Sequence, residues 1–155
     1  MKKKGGTVRA GLKAYKHPDR FGQLVGYEVL SMDKKKHEGS VKLRIQDRHL
    51  SSAGRVHGGV VAACFDVALG VAVFSTMDPW DVTSTVELKV NYLHPVHLGD
   101  VLLFKAKVDF RGKRLCVAHA YVYKNGEKQP TGMASGTYYV ISSLKTEPAG
   151  SLKRP

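Results

Sequence analysis

The chain has 155 residues, 43% of them hydrophobic and 25% charged, a composition that suits one soluble domain with a core of its own. Two cysteines, Cys64 and Cys116, without CxxC spacing, exclude a disulfide framework and are expected to be reduced core thiols. The formal net charge of +12 invites a nucleic-acid reading, but residues 1–20 hold seven Lys or Arg against one acid, residues 142–155 three against one, and the stretch between them fifteen against eleven. Eight of the twelve excess charges therefore fall in the ends, and the charge says little about the domain. The expected layout is a basic N-terminal tail at 1–20, a domain at 21–141 and a C-terminal tail at 142–155. Lys2, Lys3 and Lys4 are followed by no apolar h-region and no small-residue cleavage site, so a cytoplasmic location is expected.

In chain order, residues 26–32 and 40–46 are predicted strands joined by the polar turn "DKKKHEG"; in the second, Val41, Leu43 and Ile45 alternate with Lys42 and Arg44. An apolar helix is expected from near Gly58 to just before Asp78 and Pro79, because the residue ahead of a proline is pushed out of helical geometry. Its run from 60 to 77 is the one candidate membrane span. It carries Asp66 near its middle, is rich in Ala, Gly and Ser, and is no longer than the lower limit for spanning, so a buried soluble helix is expected and no membrane partner. Asp66 poses a question, since no cation in the run could neutralise it and an unpaired buried charge is expensive.

After the helix the period changes to two. Val86, Leu88, Val90 and Tyr92 alternate with Thr85, Glu87, Lys89 and Asn91. Leu102, Phe104, Ala106, Val108 and Phe110 alternate with Leu103, Lys105, Lys107 and Asp109. This places Thr85 on the polar face of its strand. The turn "RGKR" leads to a strand at 115–123, "KNGE" holds the Asn-Gly pair of a tight hairpin, and a last strand spans 133–141. The order β-β-α-β-β-β-β gives an α+β fold, one long antiparallel sheet that must wrap around a helix apolar nearly all round.

The stretches "FGQLVGYEVL", "VHGGVVAACFD", "TVELKVNYLHPVHLGD" and "FRGKRLCVAHAYVY" resemble the hotdog fold, in particular the acyl-CoA thioesterases of the phenylacetate-degradation, or PaaI-like, type. The resemblance covers roughly residues 21–140. It implies a curved sheet around a central helix that hydrolyses a fatty-acyl or aryl-acyl CoA thioester. The amide of Gly58 would polarise the carbonyl, and Asp66 of a partner subunit would activate water as general base or attack as nucleophile. No cofactor is implied, since coenzyme A is part of the substrate. Thr85 aligns with a Ser or Thr that orients the attacking water, and β-propensity alone is the plainer reading of it. Ser51 stands where relatives commonly have an Asn that gives the carbonyl a second contact. A resemblance-based phosphate role falls to Arg111, Lys113 and Arg114, which are otherwise solvated hairpin cations.

Part of this chemistry follows without the family. Gly58 and Gly59 lack Cβ atoms, so a ligand can come close to the backbone. The free amides of a helix start then meet it, in an oxyanion-hole arrangement worth about 3 kcal/mol per donor. For an isolated Gly-Gly, close packing or capping is the plainer reading; Asp66 shifts the balance toward a site. His57 and Asp66, nine residues apart, lie on opposite helix faces and about 13 Å apart. If both serve one site, a two-fold homodimer with composite sites is required, and further assembly to a tetramer is expected. His94 and His97 lack a third ligand and read as a strand-end corner rather than a metal pair. Two other function classes stay open: a non-catalytic acyl-CoA binding module in which Asp66 is only structural, and a nucleic-acid binder using its basic ends. A sheet without an aromatic platform argues against the latter.

Overall fold

The computed structural model describes residues 18–79 and 81–141. Nearly all of both expected tails lies outside these residues. Pro18, Asp19 and Arg20 do not: Asp19 caps a short helix, α1 (Arg20–Val25), accepting from the Gly22 amide at 2.7 Å, and Gly26 closes it at φ 82°. That left-handed angle suits glycine, so the expected first strand starts later, as β1 (Glu28–Asp33). It pairs with β2 (Glu38–Arg44) across a turn in which the Asp33 carboxylate accepts from the amides of Lys36 and Lys35.

The apolar run forms α2 (Gly58–Phe74), followed by β3 (Val82–Tyr92), β4 (Val101–Arg111), β5 (Leu115–Lys124) and β6 (Gly132–Ile141). The six strands make one antiparallel sheet in the order β1-β2-β4-β5-β6-β3. The Asn125-Gly126 turn between β5 and β6 has positive φ at both residues, as the dipeptide predicts. All six strands touch α2, so the sheet wraps the helix and the core lies between them. Val41, Leu43, Leu102, Phe104, Ala118 and Ala120 meet Phe65, Leu69 and Val73 there. Phe65 and Phe104 stack edge to face at 5.0 Å. Burying each large apolar side chain contributes about 1.5–3 kcal/mol. At Gly39 the strand backbone comes so near the helix that a Cβ would sit 2.8 Å from the Ala72 nitrogen.

Three β-bulges interrupt the register of the sheet: one at Leu30 in β1, between Val29↔Val41 and Ser31↔Ser40, and two that bear on the sequence-based alternation. In β3 the register moves from Thr85↔Tyr138 to Glu87↔Thr137, so Val86 is the extra residue and is 60% exposed. Thr85 therefore shares the inward face of Tyr138 and is not on the polar face that strict alternation assigns it. In β4 the shift between Val108 and Phe110 leaves Phe110 58% exposed, outside the buried row of Leu102, Phe104 and Ala106.

A further difference lies on the outer face of the sheet. Tyr121 and Tyr123 alternate with buried Ala120 and Val122 and so point away from α2, and Lys105 Nζ lies 5.3 Å from the Tyr123 ring centroid. The expectation of a sheet without outward aromatics is overturned, and the case against nucleic acid rests on the charge distribution alone. No helix among the described residues is long and apolar enough to cross a membrane.

Candidate active site

The approach to α2 is fixed by the buried imidazole of His49. Its Nδ1 accepts from the Gln46 amide at 3.0 Å, which leaves Nε2 to donate to the Val25 carbonyl at 2.8 Å. A bridge between Leu50 and Val56 closes the loop that follows. Ser51 sits in this loop, its amide and carbonyl bonded to Arg55 and Gly54, and its hydroxyl has no hydrogen bond among the described residues.

His57 is the helix N-cap, extended at φ −69° and ψ 126°. Its Nδ1 accepts from the Gly59 amide at 2.9 Å, and its carbonyl accepts from Val60 at 3.0 Å. The expected pair of free glycine amides is thus reduced to one, because the Gly59 donor is taken by the cap. The Gly58 amide has no partner among the described residues and lies at the positive end of the helix dipole. Tyr92 OH donates to the Gly58 carbonyl at 2.9 Å, and a Cβ on Gly58 would meet that hydroxyl at 3.3 Å.

Eight residues on, Asp66 is half-buried. Its Oδ1 accepts from Thr85 Oγ1 at 2.9 Å and from Tyr138 OH at 2.8 Å, and the same phenol lies 3.1 Å from the Asp66 carbonyl oxygen. No ion pair involves Asp66, and Oδ2 receives no hydrogen bond, among the described residues. Burial, and after it the Asp66 charge, pushes the Tyr138 phenol well above its ordinary range. The phenol therefore stays protonated and acts as a donor. At 1.5 Å per residue the Gly58 amide and the Asp66 carboxylate are separated by about 12 Å along the helix and do not meet within one chain.

The basic corner is only partly free. Arg111 donates from Nε to Thr76 Oγ1 at 3.2 Å and also bonds the Gly112 carbonyl, which ties it to the turn after α2 rather than leaving it to solvent. Arg114 donates to Tyr139 OH at 3.2 Å, while Lys113 is exposed with no hydrogen bond or ion pair among the described residues. His94 and His97 lie in the corner before β4, where the Asp100 carboxylate accepts from the His97 amide and the Asn125 side chain. Cys64 and Cys116 are free and buried, and burial pushes the Cys64 thiol up to about 12, so it is protonated and unreactive at neutral pH.

Two residues of the site escape the sequence reading. The alternation gives Tyr92 only an apolar position in a strand. Tyr138 had one signal: with Ala134, Gly136 and Val140 it falls in the inward row of β6, and an inward tyrosine needs a partner for its hydroxyl just as the lone helix carboxylate needs a donor.

The family profile described as thioesterase superfamily matches residues 53–131, just over half of the chain. A candidate esterase of Pseudomonas aeruginosa is 32% identical over 100 residues, covering 64% of this chain and 73% of its own. Among solved structures, the PaaI protein of the E. coli phenylacetic acid degradation operon superposes with a TM-score of 0.74 at 20% identity, covering 86% of this chain and 93% of that one. A hypothetical thioesterase of Streptococcus pneumoniae, solved with coenzyme A, gives 0.65 at 26% identity over 74% of this chain and 88% of its own.

Proposed function

Because the chain belongs to the thioesterase superfamily and is a thioester hydrolase with the hotdog fold, we propose that it hydrolyses an acyl-CoA thioester to the free acid and coenzyme A, in sites built jointly by two copies of the chain. The observation that carries the reading is the carboxylate of Asp66, anchored through Oδ1 and open at Oδ2, on a helix whose start presents one unpartnered amide.

The two halves of the site meet if a second α2 runs antiparallel, so that Gly58 of one copy faces Asp66 of the other. The crossing then falls at Ala62 and Ala63, half-buried residues small enough for close approach. β3 supports this assembly: it is an 11-residue edge strand, and a long edge with exposed Val86 invites pairing with another strand.

In this site the thioester oxygen accepts from the Gly58 amide. The Thr85 proton is committed to Asp66 Oδ1, so toward water Thr85 acts as acceptor. A water donating one proton to Oδ2 and the other to Thr85 Oγ1 has a lone pair left for the carbonyl carbon. As its oxygen bonds that carbon, its proton passes to Oδ2 and negative charge collects on the carbonyl oxygen beside the amide. Collapse breaks the carbon–sulfur bond, and the thiolate takes the proton from Asp66. The products are the carboxylic acid and the thiol, and the enzyme is unchanged. Coenzyme A, present in the Streptococcus structure, would place its phosphates toward Lys113 and Arg114.

Acyl-CoAs of graded length, with phenylacetyl-CoA and benzoyl-CoA, should release thiol, the best with kcat/KM of at least about 10⁴ M⁻¹s⁻¹. No release from any of them contradicts the proposal. A single turnover in ¹⁸O-water with enzyme in excess should label the product acid. An unlabelled product with label in Asp66 would make the carboxylate a nucleophile instead.

A further inference from the structure

The two oxygens of Asp66 stand in unlike surroundings. Thr85 and Tyr138 are directly opposed residues of β3 and β6, and their hydroxyls converge on Oδ1 at 2.9 and 2.8 Å. Tyr138 is 2% exposed and packs in the apolar core. A phenylalanine would fill the same space, so what the hydroxyl adds is its bond to one turn of α2. The terminal torsion of an aspartate is broad and two-fold, so a carboxylate on a helix does not by itself choose which oxygen to present. Two donors on one oxygen remove that freedom and leave the other oxygen without a hydrogen bond among the described residues.

We propose that Tyr138 is a positioning residue of the hydrolase: with Thr85 it holds Asp66 Oδ1, so that Oδ2 is the atom that takes the proton from water as the water oxygen bonds the thioester carbon. This inference rests on the base role of Asp66 given above. Tyr27, ahead of β1, lies within electrostatic reach of Asp66, and Cys116 on β5 within reach of Tyr138, while Asp19 and Cys64 act on Tyr27. Burial raises Tyr27, Tyr138 and both thiols above their ordinary ranges, so these groups are neutral at neutral pH.

The test compares Tyr138→Phe, Thr85→Val, Thr85→Ser and Asp66→Asn on the best acyl-CoA of the panel. Tyr138→Phe should keep its dimer and melting temperature within a few degrees, lose about tenfold in kcat and hold KM within about twofold. Thr85→Val, which also removes the acceptor for the attacking water, should lose at least about tenfold in kcat, and Thr85→Ser should restore it. If Tyr138→Phe does not fold, a Thr85→Val enzyme with wild-type kcat overturns the clamp. A Tyr138→Phe enzyme with wild-type kcat, beside an inactive Asp66→Asn, overturns the positioning role and leaves the base intact. An Asp66→Asn enzyme with more than about a tenth of wild-type turnover overturns both, a threshold set by the low end of acid–base contributions.

Discussion

Asp66→Asn should lower kcat by about 100-fold or more while leaving KM and the melting temperature nearly unchanged. The amide is isosteric with the carboxylate, and its oxygen still accepts from Thr85 and Tyr138 at the place of Oδ1. Its nitrogen then stands at the open position, where it can neither take a proton nor attack. Packing survives and only the ionisable group is lost. If Asp66 were a structural acid, or the chain only a binding module, the pattern would be the reverse: altered thermal stability with turnover per folded dimer intact. Measuring kcat, KM and melting temperature on one preparation separates the two.

Gly58→Pro should cost kcat about 100- to 1,000-fold with little loss of fold, the usual effect of removing one oxyanion donor. Proline deletes the amide hydrogen and nothing else that the helix needs at its first position. The preceding His57 already has the extended ψ of 126° that a following proline requires. Both proline and alanine bring a Cβ to 3.3 Å from Tyr92 OH, so Gly58→Ala is the matched control. It should stay within a fewfold of wild type. Equal losses in the two variants would mean that the crowding at Tyr92 matters and the amide does not.

The helix and the inner strands were legible because their signals are long and redundant. α2 is bracketed by His57-Gly58-Gly59 and Asp78-Pro79, and β2 and β5 alternate without a slip. The bulges were not, because inserting Val86 leaves a sequence, Thr85-Val86-Glu87-Leu88, that alternates as well in one register as in the other. That slip decides whether Thr85 meets Asp66. α1 has only six residues and falls below the window in which periodicity speaks, although Asp19 and Gly26 are its caps. His57-Gly58-Gly59 leaves capping and open amides as alternatives in the sequence, and an imidazole is an uncommon N-cap, so the sequence does not show that one of the two amides is taken. Arg111 looked like a free hairpin cation because nothing in its neighbours along the chain shows that Thr76 lies beside it. Tyr138, 72 residues from Asp66, reaches it only through the strand order. What the sequence did carry in full was the spacing of Gly58 and Asp66, and from that spacing the proposal of a second subunit.

Joint construction of each site by two chains is tested most directly by complementation. Gly58→Pro and Asp66→Asn chains carrying different tags are co-expressed, and the heterodimer is purified through both tags. One of its two sites joins an intact Gly58 amide to an intact Asp66, and the other has neither. The account predicts about half the wild-type rate per dimer from two parents that are each nearly inactive. A heterodimer as inactive as its parents, or a chain that runs as a fully active monomer, contradicts it.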